Sequence, residues 1–141
     1  MKRVALLLIG VVLLLAACGG GGGGNSEEDQ VKQAWTTFFS AKTPPSEKVA
    51  MLQDGARFKS AITTLSNYPL ASGLSSKVSS VTLQGPTKAK VVFAIYLGKT
   101  AILKDQIGYA YRQHGKWLVG YAGLCKLMLL QPDITPAACK P

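Results

Sequence analysis

The spacing of apolar residues changes character along the chain. Val4 to Ala17 is an apolar run of 14 residues, interrupted only by Gly10. Further on, Val31, Ala34, Trp35, Phe38 and Phe39 recur at helical intervals and mark one stripe of a helix ending near Ala41. Ser26, three residues ahead of Asp29, has the spacing of a capping box for it. Thr43-Pro44-Pro45 stops this helix, because proline cannot continue the hydrogen-bond ladder and restricts the residue before it. Ser46 then predicts the N-cap of a second short helix with Glu47 in its first turn, Val49, Met51 and Leu52 as its apolar contacts, and Gly55 as its terminator. Phe58, Ile62 and Leu65 predict a third helix that ends before Asn67-Tyr68-Pro69.

From Ser76 the period shortens to two. Val78 to Leu83 predicts a strand, and Gly85-Pro86 a turn. Val91 to Leu97 is apolar at nearly every position, so it is expected to be central and covered on both faces. Gly98-Lys99-Thr100 turns the chain into a long strand from Ile102 to Gln113, with Ile107, Tyr109 and Tyr111 on one face. His114-Gly115 is a two-residue hairpin turn into Lys116 to Tyr121, where Trp117, Val119 and Tyr121 alternate inward. Three N-terminal helices followed by a curved four-stranded antiparallel sheet make an α+β layer architecture.

The opening apolar run is too short to span a bilayer, which takes about 18 to 20 such residues. Behind Met1-Lys2-Arg3 it has the make-up of an export signal. Leu15-Ala16-Ala17-Cys18 resembles the bacterial lipobox, in which the cysteine thiol receives a diacylglyceryl group and the signal is cut before it. The expectation is a signal peptide over 1–17, cleavage between Ala17 and Cys18, and lipidation of Cys18. Six glycines, Gly19 to Gly24, then lead into Asn25-Ser26-Glu27-Glu28, so 18–28 is expected to be a flexible tether. Ten such residues reach roughly 16 to 19 Å, enough to hold a domain (29–141) just clear of a headgroup layer.

Charge narrows the partners. Two of the 16 basic residues, Lys2 and Arg3, leave with the signal, so 14 remain against 7 acidic ones. Outside the cytoplasm such a surface meets anionic lipid or anionic wall polymer. The basic residues are scattered, with no grouping tighter than Lys88-Ala89-Lys90 and no aromatic interleaving, so nucleic acid is not an expected partner. Cys18 taken by lipid leaves Cys125 and Cys139 as an even pair in an oxidising compartment. The expectation is a disulfide; the alternative is two free buried thiols.

Trp35-x-x-Phe38-Phe39, Pro44-Pro45, Leu52-Gln53-Asp54-Gly55, Gly115-Lys116-Trp117 and the two late cysteines together resemble a family of exported actinobacterial proteins, related to a low-molecular-weight secreted antigen of mycobacteria. The resemblance runs from about Val31 to Cys139. It implies a small variant of the cone-shaped nuclear-transport-factor-2-like (NTF2-like) fold, and it brings no catalytic residue with it.

The chemistry-bearing residues offer little that converges. Gly98-Lys99-Thr100 has the ending of a phosphate loop, but position 93 is Phe93 where a glycine is needed, and a strand follows instead of a helix. His114, the sole histidine, sits at a hairpin tip, so no metal and no cofactor are expected. In a cone fold an acid and a tyrosine could move protons beside a carbonyl. The candidates are Asp54 and Asp105 with Tyr96, Tyr109, Tyr111 and Tyr121. Two classes of function follow: a membrane-anchored, non-catalytic envelope lipoprotein with a binding or scaffolding role, or a small isomerase- or dehydratase-type enzyme acting on a hydrophobic ligand.

Overall fold

The computed structural model describes residues 26–140. The signal segment, Cys18 and the glycine run therefore lie outside the described residues. Four helices, α1 (Glu27–Phe38), α2 (Pro45–Met51), α3 (Lys59–Ser66) and α4 (Tyr121–Met128), accompany four strands, β1 (Leu74–Leu83), β2 (Lys88–Leu97), β3 (Thr100–Gln113) and β4 (Lys116–Val119). The strands form an antiparallel meander in the order β1-β2-β3-β4, curled into a half-barrel. The α+β class and the four-stranded antiparallel sheet follow from the sequence pattern.

Ser26 caps α1, its Oγ accepting from the Asp29 backbone N–H at 3.2 Å, as the spacing predicts. Glu27 and Glu28 therefore belong to the first turn of α1 rather than to a tether, favourably placed against the helix dipole. The His114-Gly115 turn is also as expected, with φ of 50° and 76° at its two residues.

Other boundaries differ. The fold has a fourth helix where β4 was expected to run on to Tyr121. Gly120 makes the last bond to β3 before the chain turns into a helix: its N–H donates to the Tyr109 carbonyl at 2.7 Å, and a Cβ there would stand 2.4 Å from that oxygen. Beyond it Leu124, Leu127 and Met128, at helical spacing, are buried, so Tyr121 opens α4 instead of facing inward from a strand. Helix α2 is capped by Pro44, not Ser46, because Pro45 supplies a helix-ready φ at its first position. It ends at Met51, where Leu52 turns extended and bridges Val119 on the exposed edge of β4. Gly55 does not terminate it. A Cβ on Gly55 would lie 1.9 Å from the Val49 carbonyl oxygen, so it serves close approach. Strands β1 and β2 start earlier than expected: Ser75, Ser76 and Lys77 separate Leu74 from the apolar part of β1, and Lys88 and Lys90 flank Ala89 in β2.

The core lies between α1 and the inner face of the sheet. On β2, Ala89, Val91, Phe93 and Ile95 are buried while the alternate residues are only half-buried, so the strand is central but covered on one face, not two. Trp35 is fully buried at the centre, its ring 4.9 Å from Phe93 and 6.0 Å from Phe39. It is wedged between two backbones: a Cβ on Gly108 of β3 would fall 2.5 Å from its ring, and one on Gly123 of α4 2.9 Å. Neither position admits a side chain while the indole is there.

Candidate functional site

Helices α1, α2 and α3 do not close over the whole inner face. Between the Ala41–Lys48 segment and the Leu65–Leu74 segment lies an open cleft of about 490 Å³. Its floor is Phe38, Phe39, Ile62, Leu74, Leu124 and Leu127, all of them core residues. The size falls within the range of small-molecule sites. The Pro44-Pro45 pair lines one wall, its fixed φ values setting the turn of the chain into α2. Thr43 is buried in that wall and donates its hydroxyl to the Thr37 carbonyl at 2.6 Å.

Two lysines line the cleft, the exposed Lys42 and the half-buried Lys48, and no acidic residue does. Burial lowers the Lys48 ammonium below the ordinary lysine value. The ion pairs among the described residues are Arg57 with Asp54 and Arg112 with Glu27, so neither cleft lysine is neutralised. A second groove, about 220 Å³, continues from the cleft. Leu65, Tyr68, Ala71, Leu74 and Leu127 line both. The groove carries no charged side chain, and its mouth is edged by Leu70, Ile102 and Leu130, exposed by 57%, 37% and 46%.

The residues weighed for acid–base work stand apart from this cleft. Asp54, in a left-handed conformation at φ 54°, faces Arg57 at the surface. Asp105 is exposed at the irregular pairing of β2 with β3, also at positive φ. Tyr96 and Tyr109 receive the Lys77 and Lys88 ammonium groups over their rings, at 5.1 and 4.4 Å, and Tyr121 stacks on Phe58. No acid–tyrosine pair is assembled from them. Gly98-Lys99 is a two-residue turn, with Thr100 already in β3 two residues earlier than expected, and His114 is an exposed turn residue. Among the described residues no three of His, Cys, Asp and Glu group into a possible metal site, and no helix is long and apolar enough to cross a membrane. Cys125 and Cys139 stand at disulfide distance, with Cα atoms 5.2 Å apart.

The cleft lysines had no motif to announce them. Lys48 stands beside Val49 in a short helix with no buried residue, so spacing gives no hint of its half-burial.

Fold and site together define a small α+β domain with an open, apolar, cation-rimmed cleft. Over residues 25–133 the sequence matches the family described as low molecular weight antigen MTB12, C-terminal domain, and the chain belongs to that family. No curated protein and no solved structure is detectably similar to it.

Proposed function

We propose that this chain is a non-catalytic lipoprotein of the cell envelope, anchored through lipid on Cys18 at the outer face of the cytoplasmic membrane. Its domain is a small NTF2-like cone that binds an apolar ligand or envelope component in the cleft beside that membrane. The observation carrying the binding role is the cleft itself: apolar floor, cationic wall, and no carboxylate among its lining residues. An isomerase or dehydratase of this shape would need an acid and a tyrosine meeting in the cavity. The cone reading is supported by helices packed against the inner face of a curled four-stranded sheet.

Anchoring is supported by the agreement of the basic start, the apolar run and the lipobox-like Leu15-Ala16-Ala17-Cys18. Two or three acyl chains on one residue exceed what stable anchoring requires. The oxidised Cys125–Cys139 pair belongs to the same reading, and it would tie the Ala137–Cys139 turn back to α4. The test is fractionation of the Cys18→Ser chain in its native host. Release from the membrane with loss of the lipid mass on the N-terminal peptide is expected. Unchanged membrane association and unchanged peptide mass would refute it.

A further inference from the structure

The chemistry of the cleft and the groove beyond it names a class of ligand. An apolar cavity that empties into an apolar groove suits an alkyl chain longer than the cavity alone would need. The charged groups are confined to one part of that path: Lys42 and Lys48 line the cleft, and the groove has none. Elsewhere on the domain Lys77 and Lys88 lie over tyrosine rings, and what sets the cleft apart is that its Lys48 is half-buried beside an apolar floor. The two at the cleft have no carboxylate partner. A partly buried ammonium without a counter-ion costs the fold stability, and a bound anion is what would compensate it.

Resting on the binding role proposed above, we infer that the cleft holds an anionic amphiphile. Its acidic head sits at Lys42 and Lys48, and its alkyl chain runs over Leu74, Leu65 and Leu127 into the groove edged by Leu70 and Leu130. The head can be a carboxylate or a phosphate, since both accept from an ammonium in the same way. The tail gains by leaving water, and at the groove it covers Leu70 and Leu130, which are otherwise exposed.

The full chain, reconstituted in phosphatidylcholine vesicles, is irradiated with hexadecanoate carrying a diazirine on its alkyl chain, and the labelled peptides are mapped by mass spectrometry. Label is expected on the segments holding Leu65 to Leu74 and Leu127 to Leu130. Unlabelled hexadecanoate and hexadecyl phosphate should compete, and hexadecanol and hexadecyltrimethylammonium should compete far less well. Preference for one anionic competitor over the other distinguishes a carboxylate ligand from a phosphate one. Lys48→Met and Lys42→Gln should each weaken labelling by about tenfold, as expected for loss of a hydrogen bond to a charged group. Lys90→Met, on the outer sheet face, should leave it unchanged and reports on any general effect of charge. Equal competition by hexadecanol, or label spread over the outer face around Ile107 and Tyr109, would overturn the inference. Its failure leaves the anchoring untouched, because that is decided by fractionation of Cys18→Ser.

Discussion

One helix, α1, serves two regions built on opposite terms. Trp35 points into a core so tight that two facing positions must be glycine. One turn later, Phe38 and Phe39 form the floor of a cleft left open by about 490 Å³ and lined by two unneutralised lysines. The first region gains stability from every contact. The second gives up apolar coverage and half-buries a charge, both of which cost stability. A domain this small has little stability to give away, so the contrast separates what holds the fold from what it is for.

The contrast breaks most severely at Trp35. Trp35→Ala should cost about 3 to 5 kcal/mol, the range for deleting a buried aromatic, read as a lowered urea midpoint. Gly108→Ala forces a methyl against the ring and should cost about 1 to 3 kcal/mol. In a Trp35→Phe background that cost should shrink, because the smaller ring frees the space, and the strong non-additivity would identify the wedge. Next comes the proposed link between Cys125 and Cys139. Closing a loop of this size contributes about 3 kcal/mol in the chain-entropy model, so reductant should lower the urea midpoint substantially. A thiol titration of the unfolded, unreduced chain should find neither of these cysteines free.

The smallest expected effect has the opposite sign. Lys48→Met should raise stability at neutral pH, by under about 1 kcal/mol for a side chain still in partial contact with water. The folded-state pKa of Lys48 lies below its unfolded value of 10.5. Between the two, the unfolded chain binds more protons, so this lysine's penalty is full at neutral pH and is relieved as pH rises toward 10.5. The melting-temperature difference between Lys48→Met and the parent chain should therefore narrow across that alkaline window.

Much of the core was legible in the sequence, because burial imposes a period. The stripe from Val31 to Phe39 and the His114-Gly115 turn follow from spacing and turn chemistry, whereas the one-sided burial of β2 did not, because its outward positions are apolar too. The start of the fourth helix was hidden because Tyr121 continues the alternation of Trp117 and Val119. The cleft was not legible at all. Its floor residues look like core in sequence, and its lysines look like solvated surface. An opening arises only from how α2, α3 and the Pro44-Pro45 turn are set against the sheet. Asp54 and Asp105 sit at left-handed positions on a turn and a strand irregularity, where no period constrains them.

The most direct test of the account joins stability and binding in one titration. The melting temperature of the full chain in phosphatidylcholine vesicles is measured against increasing hexadecanoate, for the parent and for Lys48→Met. A ligand that binds only the folded state raises stability by about 1.4 kcal/mol for each tenfold excess over its dissociation constant. The account predicts that Lys48→Met starts higher and gains little, while the parent starts lower and climbs with added hexadecanoate. A parent chain that does not respond, or a Lys48→Met chain that starts lower and climbs equally, would contradict it.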